Sequence, residues 1–168
     1  METKGQNIVL VLSIALLFVT IGFSIYQKQK EYSDFQTANL PSAEFWKLFE
    51  QISMERKYIE SEDLYYRIPV FTEELKEYSG KEIVLNGYYL PYSKLDSVVI
   101  ISRYPNKSCF FCGQAGIESV AMVELGRAVP KYRMDQMIVA KGKLELNSSN
   151  FKKLAFVLEE AEVTESLE

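Results

Sequence analysis

The clearest chemical feature of this chain is a pair of cysteines three residues apart, Cys109 and Cys112, in the sequence Ser-Cys-Phe-Phe-Cys-Gly. Two thiols at this spacing permit three kinds of chemistry. They can form a disulfide, which an even cysteine count favours in an exported protein. They can supply half of a structural zinc site, completed by a second chain or by carboxylates such as Asp96 or Glu118. They can also exchange disulfides with another protein.

Each interpretation of the cysteine pair meets a limit in the sequence. A disulfide across two residues closes only a small loop and therefore adds little stability through chain entropy. A zinc site would lack two ligands, because the chain has no third cysteine and no histidine. A thioredoxin-like exchange site needs a helix after the second cysteine, whereas Gly-Gln-Ala-Gly follows at 113–116. The sequence favours a disulfide or buried thiols and leaves the metal and exchange interpretations open.

A second candidate site is the tyrosine cluster at Tyr88, Tyr89 and Tyr92, around Pro91. Such rings can stack on the bases or sugars that small barrels bind. They can equally pack at the rim of the domain against a helix, and the sequence favours packing.

Composition excludes several function classes. The chain contains no histidine, which rules out a Ser-His-Asp or Cys-His catalytic unit. Its net charge of −4 argues against binding of nucleic acid, which requires a basic surface. We therefore expect a protein that is not an enzyme, has no nucleic-acid partner and needs no cofactor, apart from the zinc that the cysteines could hold.

The elements that position these residues begin with an apolar run at 8–26 that contains no charged side chain. Nineteen helical residues extend roughly 28 Å, which is close to the hydrocarbon thickness of a bilayer. The run predicts a transmembrane anchor, and a signal peptide cleaved near Gly22–Ser24 is the alternative. Lysines on both sides of the run leave its orientation open under the positive-inside rule. Because single N-terminal spans commonly export the domain that they precede, we expect an extracytoplasmic, periplasmic domain held at the inner membrane.

The whole chain divides into a short tail at 1–7, the anchor at 8–26, a polar stalk at 27–40, a helical segment at 41–80 and a β-domain at 81–168. Apolar residues at helical spacing predict a helix at 42–54, with Ser42 as its N-cap. We expect it to pack on the core, with partner binding as the alternative.

Between the predicted helix at 42–54 and the β-domain, the sequence predicts a charged loop or weak helix end at 55–64 and an extended segment at 65–71. A short helix comes next at 72–79, with Thr72 as its N-cap and Gly80 as its stop.

The β-domain contains five segments rich in β-forming residues, at 81–90, 97–103, 119–125, 136–146 and 153–163. Glycines inside the first and fourth segments, Gly87 and Gly142, indicate bulges or sharp bends at barrel corners. Asn147–Asn150 predicts the turn of a hairpin between the last two strands. The chain is thus expected to be mainly β with α, with a five-stranded OB-like antiparallel barrel and two flanking helices.

Three stretches of this chain resemble a family of uncharacterised bacterial proteins: PVFTEELKEYSGKEIVLNGYYLPY at 69–92, SCFFCGQAGIESVAMVEL at 108–125 and QMIVAKGKLEL at 136–146. Members are exported or membrane-anchored, with an OB-like barrel and a Cys-x-x-Cys-Gly turn, and they are often associated with transport systems. The resemblance implies an accessory role in an envelope complex, without a settled activity.

Together these features predict a non-enzymatic accessory or interaction domain of an envelope or transport complex, with a protein partner and a membrane contact through residues 8–26. Two alternatives differ in class. The protein could handle thiol redox chemistry or metal through Cys109 and Cys112. It could also be an OB-like module that binds an oligosaccharide or another small ligand through Tyr88, Tyr89 and Tyr92.

Overall fold

The computed structural model describes residues 16–28, 41–60 and 63–166, which belong to two compact units. Residues 16–28 form helix α1 of the first unit. The predicted anchor at 8–26 overlaps this helix, while its first part, 8–15, lies outside the described residues, as do the tail at 1–7 and most of the stalk. Within the described ranges, no helix is both long enough and apolar enough to cross a membrane.

The second unit, as far as it is described, combines two short α-helices with seven strands. The helices are α2 (Ser42–Phe49) and α3 (Glu73–Lys76). The strands are β1 (Ser53–Ile59), β2 (Leu64–Val70), β3 (Glu82–Leu90), β4 (Val98–Ser102), β5 (Val120–Leu125), β6 (Met137–Leu146) and β7 (Phe156–Glu165). Single 3₁₀ turns lie at Asn106–Ser108, Phe110–Cys112 and Ile117–Ser119.

Strands β3 to β7 form a closed five-stranded barrel in the order β3-β4-β5-β7-β6. All five strands were predicted from the sequence, and the predicted combination of helices with a five-stranded barrel is confirmed. The arrangement is consistent with an OB-like barrel. Four of the five pairs are antiparallel, but β5 and β7 run parallel, so the expectation of a fully antiparallel barrel is wrong. The reason is geometric: an odd number of strands cannot alternate in direction around a closed ring, so one pair must be parallel.

Helix α2 is held on the barrel by apolar packing and by hydrogen bonds between its side chains and the backbone of β3. The ring of Phe49 stacks on that of Phe156 at a centroid distance of 3.7 Å. Trp46 donates from Nε1 to the carbonyl of Asn86 (2.9 Å), and the Asn86 N–H donates to the Ser42 hydroxyl (2.6 Å). The predicted core-packing role of this helix is confirmed. Ser42, however, bonds to β3 and does not cap α2, whose N-cap is Pro41.

Helix α2 ends earlier than predicted because a β-hairpin follows it. Strands β1 and β2 pair antiparallel from Ser53 with Val70 to Ile59 with Leu64. The expectation of a loop or weak helix end at 55–64 is therefore wrong. The hairpin is mostly exposed, so charged residues occur on both of its faces and no apolar alternation reveals β1 in the sequence.

Helix α3 begins where predicted, but it ends at Lys76, three residues before the predicted end at 79. The Thr72 hydroxyl accepts a hydrogen bond from the N–H of Leu75 (3.2 Å), which makes Thr72 the N-cap. The C-cap is Glu77, so Gly80 does not end the helix as predicted; its φ of +76° belongs to the turn between α3 and β3.

The two strand glycines lie where the barrel brings backbones close together. A Cβ at Gly87 would lie 2.5 Å from the carbonyl oxygen of Ser102 on β4. A Cβ at Gly142 would lie 2.8 Å from that of Ala161, beside the register shift between β6 and β7. Both positions therefore require the absence of a side chain. The register shift at Gly142 is an irregularity of the predicted kind, whereas β3 pairs with β6 without a shift at Gly87.

Candidate functional site

The cysteines lie in a loop that covers the outer face of the barrel at β4. Every residue of β4 is buried, because Val99 and Ile101 face the barrel core while Val98 and Ile100 face outward under this loop. Cys109 is completely buried and joins Val98 and Ile100 in a second, smaller apolar cluster. The sequence therefore places one thiol in a packed environment outside the barrel.

The second cysteine, Cys112, is exposed at the end of a tight turn. Its N–H donates to the carbonyl of Cys109 (3.2 Å), and Gly113 follows with a φ of +71°. The two sulfur atoms are 4.0 Å apart, about twice the length of a disulfide bond. Both thiols are free, so the disulfide predicted from the sequence is not formed in this structure.

Asn106 connects the cysteine loop to the neighbouring loops. Its carbonyl accepts a hydrogen bond from the Cys112 thiol (2.9 Å), and its side-chain Oδ1 accepts one from the Tyr92 hydroxyl (2.6 Å). Its N–H donates to the Asp135 carboxylate (2.6 Å). Partial removal of water raises the pKa of the Cys112 thiol, and the nearby Cys109 raises it further. Loss of solvation also raises the pKa of Tyr92.

The predicted zinc ligands do not assemble around the cysteines. Across residues 16–28, 41–60 and 63–166, no three Cys, Asp or Glu side chains come together in a group that could hold a metal ion. The Glu118 carboxylate lies against Gly116. A shared metal site would therefore require ligands from another molecule.

An open groove of about 290 Å³ runs beside the cysteine loop, and we call it the lateral groove. Its floor is formed by side chains of the barrel and of the segment before β7, and its walls come from three separate loops. The floor residues are Ile100, Met122 and Leu154, and the main wall residues are Tyr92, Leu95, Phe111 and Phe151.

The walls of the lateral groove expose large apolar side chains. Leu95 is 64% exposed, and Tyr92, Phe111 and Phe151 are also exposed. The rings of Tyr92 and Phe111 touch at a centroid distance of 4.8 Å. Aromatic side chains exposed in this way are enriched at protein interfaces, where one side of the ring becomes buried.

Three lysines lie along the groove, and they differ in their pairing. Lys153 forms ion pairs with Glu124, Glu145 and Glu159 at 3.0–3.5 Å. The bond to Glu145, followed by that to Glu124, raises the pKa of Lys153. Lys94 and Lys152 are exposed and have no ion pair with any described residue. The rim therefore carries two positive charges that no described residue pairs, on a protein of net charge −4.

The three predicted site tyrosines do not meet at one place. Tyr89 contacts Tyr132 at a centroid distance of 5.6 Å and packs against the barrel core. Tyr88 is the preceding residue along β3, so its side chain points to the opposite face. Of the three tyrosines, Tyr92 alone lines the lateral groove.

Sequence reasoning missed Leu95, Phe111 and Phe151 as site residues. The sequence does carry a signal for an exposed apolar site, since each of the three is a large apolar residue in a segment without regular apolar spacing.

No protein-family model matches this chain, and no curated protein shows significant similarity to it. The resemblance noted from the sequence therefore stays a prediction.

Proposed function

We propose that this protein is a membrane-anchored, extracytoplasmic accessory domain with an OB-like barrel, which binds a protein partner of an envelope or transport complex and catalyses no reaction. The lateral groove is the observation that carries the proposal. The OB-like assignment is supported by the strand order, in which the first and fourth barrel strands pair and the third and fifth run parallel.

The shape of the groove favours a segment of another protein as its occupant. Its volume of about 290 Å³ is at the lower limit of enclosed small-molecule sites, and it is open along its length. Such a groove can accept one or two apolar side chains of a partner chain while the partner backbone stays outside. The exposed rings of Tyr92 and Phe111 would then become buried, as aromatic residues at binding hot spots are.

The charge at the rim of the lateral groove indicates which kind of partner segment binds there. Lys94 and Lys152 are unpaired within the described structure, and both belong to the loops that form the groove. A partner segment with acidic side chains next to apolar ones would supply the missing counter-charges. We therefore assign the groove to an acidic, partly apolar segment of a membrane-associated protein.

Site-specific photo-crosslinking tests this function. A photoreactive residue at Leu95 (64% exposed) probes the groove, and one at Leu64 (56% exposed) on the hairpin is the matched control. Irradiation of membranes should join the Leu95 probe to one defined protein, with the crosslink at a site beside acidic residues, and the Leu64 probe should not form this product. Equal crosslinking from both positions, or products that contain this chain alone, would refute the proposal.

A further inference from the structure

The two thiols lie close enough to react with each other after a small movement. The hydrogen bond from the Cys112 N–H to the Cys109 carbonyl closes a four-residue turn, and such turns hold their end Cα atoms within about 7 Å. That distance is compatible with a disulfide, and the sulfur atoms are 4.0 Å apart. We propose that Cys109 and Cys112 form a reversible disulfide whose closure reshapes the wall of the lateral groove.

The exposure of the two thiols determines which of them reacts first. Cys112 is exposed and attacks first, whereas Cys109 is buried and cannot reach an external reagent. The Cys112 thiolate attacks one sulfur of an aliphatic disulfide, forms a mixed disulfide and expels the first thiolate. Cys109 attacks the Cys112 sulfur and expels the second thiolate, which takes up the Cys109 proton and leaves as a thiol. The protein thereby loses two protons and two electrons, and the external disulfide is reduced to two thiols.

Closure of this disulfide must change the contacts of the groove wall. Cys109 is fixed in the apolar cluster, so the sulfur of Cys112 has to move toward it. Oxidation also removes the thiol hydrogen of Cys112, so the hydrogen bond from Cys112 to the Asn106 carbonyl (2.9 Å) is lost. Asn106 also binds the Tyr92 hydroxyl, and Phe111 precedes Cys112 directly in the turn. One wall residue of the groove, Phe111, is thus adjacent to the residue that moves, and another, Tyr92, is bonded to the residue that loses a hydrogen bond.

The environment of the pair suits a slow switch better than a catalytic exchange site. Catalytic Cys-x-x-Cys pairs expose a low-pKa thiolate at a helix start. Here the turn at Phe110–Cys112 has three residues and ends at Gly113, and the pKa of the Cys112 thiol is raised. The effect on partner binding rests on the groove function proposed above, whereas formation of the disulfide does not.

Reaction with oxidised glutathione tests the assignment of the two thiols. The full chain in detergent should lose about 2 Da, because two hydrogen atoms leave the protein. In Cys109→Ala the reaction should stop at a stable glutathione adduct on Cys112. In Cys112→Ala the buried Cys109 should stay unmodified while the chain is folded. A chain that never forms the internal disulfide, or a Cys112→Ala variant modified as fast as Cys109→Ala, would overturn the proposal.

Nuclear magnetic resonance of the reduced and oxidised full chain tests the coupling to the groove. Ring signals of Tyr92 and Phe111 should shift on oxidation and return on reduction. Those of Tyr58 and Tyr65, which contact each other on the hairpin, are the internal control and should not shift. If oxidation leaves the ring signals of Tyr92 and Phe111 unchanged, the proposed switch is refuted. Since neither readout needs a partner, failure of groove binding and failure of the switch are separable.

Discussion

Substitution of Gly87 by alanine should open the barrel between β3 and β4. The added Cβ would lie 2.5 Å from the backbone oxygen of Ser102 and 2.8 Å from a side-chain carbon of Ile101. Because a backbone oxygen cannot rotate away, β4 must retreat by roughly half an ångström to restore even a 3.0 Å contact. Overpacking of this kind costs about 2–3 kcal/mol of unfolding free energy.

Denaturant unfolding of the full chain, followed by the fluorescence of its single tryptophan, Trp46, measures this loss. Gly126→Ala is the matched control, since no atom lies within 4 Å of its added Cβ and its φ is not positive. The control should be unchanged or more stable by up to about 1 kcal/mol. If Gly87→Ala and Gly126→Ala have equal stability, the close approach of β3 and β4 is refuted.

Three further predictions concern individual contacts. Phe49→Ala removes the ring stacked on Phe156 and should lower the unfolding free energy by about 3–5 kcal/mol in the same assay; a loss below about 1 kcal/mol would contradict the packing of α2. Thr72→Ala removes the acceptor of the Leu75 N–H and should cost about 1 kcal/mol, whereas Thr72→Ser should retain most of it. Alkylation of Cys112 should reach half its maximal rate at a higher pH in the folded chain than in the unfolded chain, because lost solvation and the neighbouring thiol raise its pKa; an equal or lower midpoint would disprove this.

Much of the barrel was predictable from the sequence because its strands carry strong local signals. Runs of β-forming residues separated by turn residues identified all five strands, and their observed ends differ from the predicted ones by three residues at most. The glycines were recognisable because a strand interior tolerates glycine only where backbones approach or bulge. The parallel β5–β7 pair was not inferred, although an odd closed ring requires one.

The candidate site was harder to predict because its parts are distant in sequence. Leu95, Phe111 and Phe151 form one surface only after the barrel brings their three loops together. The burial of Cys109 likewise depends on the outward face of β4. The five apolar and small residues of this strand do not reveal that both of its faces are covered. Strand β1 was missed for the opposite reason, since a mostly exposed strand needs no apolar pattern, whereas its partner β2 coincides with the extended segment predicted at 65–71.

Purification of the tagged full chain from membranes at native abundance tests the groove function most directly. The variant Lys94→Glu/Lys152→Glu reverses the two unpaired rim charges, and Lys57→Glu/Lys131→Glu makes the same charge change at exposed positions away from the groove. The wild type and the control should recover the same partner, and the groove variant should recover about tenfold less or none. Equal recovery by all three, or recovery of this chain alone, would contradict the account.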